Sequence, residues 1–245
     1  MLSEATKRLS VAFAALLLTA CNGAASDVVA PRPDAELGLF TTLPIYWGET
    51  PDIAAMLNAE GEKHWARQQL EDRYDLVPLD VLSESNLAGL ERVLLAQPRP
   101  LSPQENVALD EWVREGGSAL VFADPMLMQH SIYPIGDKRR PQDVVLLSPI
   151  LARWGLALQF DEAQSSEQRL IESGNLSVPV AMAGELVATG GGAGSVCEIG
   201  KLGLIAECRI GEGRVVVVAD ADLFEPHAET GEAAAALRGL IALSF

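Results

Sequence analysis

RVLLAQPRPLSPQENVALDEWVREGGSALVFADP, residues 92–125, is the stretch from which the fold can be read. Its first six residues are almost continuously apolar, the pattern of a strand covered on both faces rather than one. Leu101-Ser102-Pro103 then opens a helix. Ser102 is a natural N-cap, Pro103 suits the first helical position because its missing N–H would find no partner there anyway, and Glu105 can reach back to the cap from the third. Val107, Leu109, Trp112 and Val113 supply the expected apolar stripe, and Gly116-Gly117 stops the helix. SALVFA (118–123) is a second buried strand, ended by Asp124-Pro125. Strand, helix and strand, with both strands fully apolar, is the unit from which a doubly wound parallel sheet is built.

Toward the N-terminus, GLFTTLPIYW (38–47) reads as the first strand and the residues around Trp47-Gly48-Glu49 as a loop. Residues 53–58 and 63–73 have helical periodicity, with Trp65, Leu70 and Tyr74 inward. A short strand at 76–79 and a helical turn capped by Ser83 lead back to residue 92. Toward the C-terminus, 126–143 is irregular and carries the basic run Lys138-Arg139-Arg140. Ser148-Pro149 opens a helix, 156–161 is a strand, 162–174 is a polar excursion, and 178–189 is strand material. RVVVVA (214–219) is the strongest strand, ended by Asp220-Ala221-Asp222, and 229–243 is the closing helix. The predicted class is therefore α/β, with a mostly parallel sheet and a β-hairpin insertion near 178–210.

The N-terminus carries an address. Lys7 and Arg8 precede a short apolar run, and Leu18-Thr19-Ala20 leads into Cys21. A positive region, a short apolar core and small residues before a cleavage point form a secretory signal. A cysteine at that point resembles a bacterial lipoprotein signal, in which the cysteine is lipidated and becomes the first residue. The alternative is an ordinary cleaved signal in which Cys21 is incidental. The run is too short to span a bilayer, which takes about 20 apolar residues. Expected, then, are a signal peptide at 1–20, a flexible tether at 21–36 and one domain at 37–245, held by lipid on Cys21 at a membrane of the bacterial envelope and facing the periplasm. Asn22, standing where an Asp would retain such a protein at the inner membrane of enteric bacteria, favours the outer membrane.

The 245-residue chain has a formal net charge of −16. That acidity argues against nucleic acid and anionic membrane surfaces as partners, because both need a basic face. Aromatic residues make up only 5% of the chain, too few to suggest a carbohydrate-stacking surface. With Cys21 used for lipid, Cys197 and Cys208 remain. They flank a hairpin turning at Lys201-Leu202-Gly203, and in an oxidising compartment an even remainder points to a disulfide. Two buried thiols are the alternative.

Chemistry is sparse. Two strands end alike, at Asp124 and at Asp220-Ala221-Asp222, and in a parallel sheet the carboxyl edge is where ligands bind. With His130 or His227 these carboxylates could hold a divalent cation or act as acid and base; their commoner role is turning the chain and capping the next element. Trp47 and Glu49 fall at the same edge and could line a ligand cleft, the alternative being a Trp that packs the edge of the core. The glycine run at 190–194 lacks the Lys-Ser/Thr of a phosphate loop, and no Gly-x-Ser-x-Gly elbow follows any strand. No metal, cofactor or catalytic residue is assigned on these grounds.

Residues 92–125, together with PILARWGLALQF (149–160) and GEGRVVVVADADLF (211–224), resemble the auxiliary extracytoplasmic domain of ABC-type transport systems, the GldG-like family of gliding-motility and related exporters. The last motif is also similar to class I amidotransferase-like domains, including the DUF4350 group. The resemblance implies a flavodoxin-like or amidotransferase-like three-layer sandwich without catalysis, working beside an ABC permease and ATPase. Members of that family usually carry a transmembrane helix, where this chain shows a lipid-anchor signal. The leading expectation is a non-catalytic envelope lipoprotein serving as an accessory or binding component of an ABC-type transport system, with an ABC permease or another envelope protein as partner. The rivals are a metal-assisted hydrolase using Asp124, Asp220 and Asp222, and a solute-binding lipoprotein, which would need two lobes.

Overall fold

The computed structural model describes residues 35–50, 63–225 and 231–245. The lipidation signal with Cys21, most of the tether, the expected helix at 53–58, and His227 lie outside these residues. Within them, a seven-stranded sheet runs β2-β1-β3-β4-β11-β10-β9. It comprises β1 (Glu36–Thr41), β2 (Asp75–Pro78), β3 (Arg92–Ala96), β4 (Ser118–Phe122), β9 (Ser195–Ile199), β10 (Ile205–Ile210) and β11 (Gly213–Val218). The first five strands in that order are mutually parallel; β10 and β9 continue the sheet antiparallel beyond β11. The parallel part has the 2-1-3-4-5 order of flavodoxin-like sheets.

Alternation along the central strands explains the three layers. Leu94, Leu120, Val216 and Val218 point to one face, where they meet α1 (Trp65–Glu71), α5 (Gly231–Ser244) and β7 (Leu176–Val180). Val93, Leu95, Val121, Val215 and Val217 point to the other, against α2 (Glu84–Leu87), α3 (Pro103–Arg114) and α4 (Ser148–Arg153). Trp65, Leu70 and Tyr74 are buried as the periodicity requires. Two small antiparallel pairs lie outside the main sheet: β6 (Arg169–Ser173) with β7, and β5 (Leu156–Gln159) with β8 (Glu185–Ala188).

Helix α3 forms as its sequence dictates. Ser102 Oγ accepts from Glu105 N at 3.2 Å, and Ser102 N donates back to Glu105 Oε2 at 2.8 Å. The expected stripe needs correction, because Val107 is 55% exposed while Glu105 and Asp110 are buried. Both acids are paired: Glu105 with Arg99, and Asp110 with Arg114, Arg153 and the Trp154 indole N–H. The stripe rotates because Asp110 fastens α3 to α4, a contact between elements far apart in sequence.

The first strand is also shorter than expected. It ends at Thr41, whose hydroxyl donates to Ala96 O and accepts from Leu43 N, turning the chain before Pro44. Strands β9 and β10 form the expected cysteine hairpin. Cys197 and Cys208 are directly opposed and disulfide-bonded, with 4.0 Å between their Cα atoms. This hairpin belongs to the main sheet, whereas 178–189 contributes to the two smaller pairs.

Candidate functional site at the carboxyl edge of the sheet

The parallel register decides which polar residues meet. Ala96, Phe122 and Val218 lie level across β3, β4 and β11. The ladder runs one residue further through Gln97 N to Phe122 O and Ala123 N to Val218 O. Asp124 and Asp220, each two residues past its strand, are consequently brought together at the carboxyl edge. Asp222 follows in the 3₁₀ turn Asp222–Phe224.

All three aspartates are buried, and one oxygen of each lies within 4.8 Å of the others. Asp124 accepts from Met126 N at 2.7 Å and from Ala221 N at 3.0 Å. Asp220 accepts from Asp222 N at 2.8 Å and from Ala181 N at 3.2 Å. Asp222 Oδ1 accepts from Met128 N at 3.4 Å, and its Oδ2 is buried without a partner. Burial disfavours the charged form and raises all three carboxyls. Asp124 goes to about 7, helped by the charge of Asp222. Asp222 goes to about 6, burial outweighing its bond from Met128. Asp220 is driven well above the usual range by burial and then by its two neighbours.

Gln97 was legible in the sequence only as the end of a strand; the structure gives it a larger part. It is fully buried with φ at +44°, a left-handed conformation costing a non-glycine residue about 1 kcal/mol. Its amide accepts from Asp124 N and donates to Asp124 O and Gln142 O, so it fixes the backbone of the edge. The residues after β11 are clamped from the opposite layer. His64 Nδ1 accepts from Ala66 N, which leaves Nε2 to donate to Phe224 O at 3.0 Å. Burial lowers the His64 pKa and favours this neutral form.

Neither Glu49, half-buried, nor Trp47, exposed, is bonded to the three aspartates. Glu49 accepts from Ser131 Oγ and Ile132 N, and Tyr133 OH donates to Thr50 O, joining residues 46–50 to the long loop after β4. Trp47 is 71% exposed and does not pack the core edge. Ile132 and Ile135 are exposed beside these contacts. The basic run is largely consumed within the loop: Arg139 pairs with Asp137 and stacks on Tyr133, and Arg140 pairs with Asp143. Lys138 and His130 are exposed.

The arrangement limits the chemistry. The aspartates are covered, and their backbone bonds are those of residues that turn and stitch the chain, so a substrate has no route to them in this conformation. A groove of 460 Å³ over the hairpin, lined by Val196, Glu198, Glu207 and Arg214, sits at the opposite, amino end of β4 and β11. Among the described residues, no helix is long and apolar enough to cross a membrane.

These features define a three-layer α/β sandwich whose carboxyl edge carries a buried acidic cluster. The chain belongs to the auxiliary family described as "ABC-type uncharacterized transport system", whose model matches residues 42–179. Among solved structures it is similar to the exo-β-1,4-mannosidase Op5Man5 from Opitutaceae bacterium strain TAV5, at 16% identity and a TM-score of 0.51 over 88% of this chain. The chain spans only 37% of that enzyme's length. It is also similar to the mmIFT52 N-terminal domain, at 14% identity and a TM-score of 0.50, covering 85% of this chain and 96% of that one. At such identities these likenesses speak for the fold alone. No curated protein matches the chain.

Proposed function

We propose that this chain is a non-catalytic accessory component of an ABC-type transport system, of the GldG-like kind, held by lipid on Cys21 at an envelope membrane and facing the periplasm. The observation that carries the reading is the family match over residues 42–179. The structure is compatible with it in two respects. The acidic cluster is closed to substrate, as a domain without catalysis would have it. The chain enters the sheet at the amino end of β1, leaving the carboxyl edge at the far end of the strands. There Trp47, Ile132 and Ile135 are exposed, with the half-buried Glu49 bonded to Ile132 N, and this rim is the proposed contact for a permease or another envelope protein.

Cross-linking in intact envelopes followed by capture of the chain is expected to recover a permease or ATPase of the ABC class. Recovery of no envelope partner would remove the transport reading. Cys21→Ser is expected to move the chain from the membrane to the soluble fraction; a variant that still sediments with membranes, outer or inner, would remove the lipid anchor.

A further inference from the structure

Asp124, Asp220 and Asp222 bring three carboxyl groups into mutual reach in a covered site, and burial makes the ionised form of each unfavourable unless something positive faces it. Among the described residues, every arginine or lysine in an ion pair is paired elsewhere: with Glu71, Glu91, Glu105, Asp110, Asp137, Asp143 or Glu207. The backbone N–H groups of Met126, Ala221, Asp222, Ala181 and Met128 account for five of the six carboxyl oxygens. The sixth, Asp222 Oδ2, is buried with no partner.

A second orphan lies close by in the chain. Gln129, adjacent to the Met128 that donates to Asp222, carries a buried Oε1 that also lacks a partner. Buried polar oxygens are ordinarily satisfied. An unsatisfied acceptor on a cluster of three carboxyl groups, with no ion pair to any of them among the described residues, asks for a cation rather than another acceptor.

The donor chemistry selects its kind. Among the described residues the available atoms are oxygens, which hard cations prefer, and no imidazole or thiol joins the cluster to favour zinc or copper. The spacing selects further. Oxygens on opposite sides of a calcium ion stand about 4.8 Å apart, twice a Ca–O distance of roughly 2.4 Å. One oxygen of each carboxyl lies within 4.8 Å of the others, inside that span. Magnesium demands near-ideal octahedral geometry and keeps several waters, which a covered site suits less well than the flexible coordination of calcium.

We infer that Asp124, Asp220 and Asp222 together hold one hard divalent cation, Ca²⁺ in preference to Mg²⁺, with Asp222 Oδ2 as the ligand left open for it. The ion would tie the ends of β4 and β11 to the start of the loop that carries Ile132. It acts as a structural clasp, so it needs no substrate access, only passage past the slightly exposed Asp222. The inference concerns the chain alone and does not depend on the transport reading: a chain that captures no partner and still takes up calcium loses that reading and keeps this one.

The test is a calorimetric titration of the full chain, stripped with chelator, with CaCl₂ and separately MgCl₂ near neutral pH. Metal content after dialysis provides an independent readout. One calcium per chain is expected, with Mg²⁺ roughly tenfold weaker or more, and Asp222→Asn is expected to weaken calcium by about tenfold or more with an unchanged far-ultraviolet spectrum. No saturable calcium uptake by the wild-type chain overturns the inference and leaves protons to neutralise the cluster. Uptake undiminished in a folded Asp222→Asn variant overturns the assignment to these carboxylates, and tighter Mg²⁺ than Ca²⁺ overturns the choice of ion. If Asp222→Asn does not fold, the wild-type titration and metal content decide.

Discussion

Glu105 accepts hydrogen bonds from Leu82 N, from Ser102 N and from both terminal nitrogens of Arg99, and these bonds hold its carboxyl down at about 2. The Arg99 bonds are the largest cause; burial opposes them. Because the folded pKa lies below the unfolded value of about 4.3, the group stabilises the fold above the unfolded pKa and loses that contribution as pH falls through about 2. Glu105→Gln is expected to cost roughly 2 kcal/mol at neutral pH, the full linkage energy being discounted because the Arg99 side chain is 37% exposed. Urea titrations between about pH 5 and pH 2 should show the wild-type advantage shrinking toward the acid end; a constant gap would refute the assignment. The cap itself was legible in Ser102-Pro103 and Glu105. The burial of Glu105 was not, because Leu82 and Arg99 reach it from outside the helix.

Asp110 shows the same division at the scale of elements. A lone acid within an apolar stripe looks like surface, yet Asp110 is 1% exposed and joins α3 to α4 through Arg153 and Trp154. Burial works against its charge, and the guanidiniums of Arg114 and Arg153 outweigh it and leave the carboxyl below its usual range. Asp110→Ala would strand those donors and is expected to destabilise by about 3 kcal/mol, measured by chemical denaturation, with hydrogen exchange accelerated in α4 before the sheet. The β9–β10 hairpin is the contrasting case. Its disulfide was readable from two cysteines flanking a turn, since opposed hairpin positions bring Cβ atoms within bridging range. Replacing both, Cys197→Ala with Cys208→Ala, should lower stability by about 3 kcal/mol in the chain-entropy account and open β9 first, because it is the sheet's edge strand. An unchanged denaturation midpoint would show that packing alone holds the hairpin.

At the scale of the molecule, the apolar rim and the core make separable demands. Trp47 and Ile135 are 71% and 88% exposed, so their loss removes little buried area. The double change Trp47→Ser with Ile135→Ser is expected to leave the unfolding free energy within about 0.5 kcal/mol of wild type while sharply reducing recovery of an envelope partner by cross-linking. A large loss of stability would place these residues in the core's service instead.

The sequence by itself determined the layered α/β class, because long apolar strands and a capped amphipathic helix are local patterns with few architectures open to them. It also determined the central parallel strands and the helix capped at Ser102, and it pointed to the pairing of Cys197 with Cys208 that the structure shows. Only the tertiary structure decided the 2-1-3-4-5 order, the rotation of α3 about Asp110, the left-handed Gln97 and the enclosure of Asp124, Asp220 and Asp222. The reason is physical. Strand order and the meeting of strand ends depend on register between segments up to about a hundred residues apart, and the environment of a carboxylate is set by what other elements place over it. A local pattern could put those aspartates at an edge but could not say that the edge is closed.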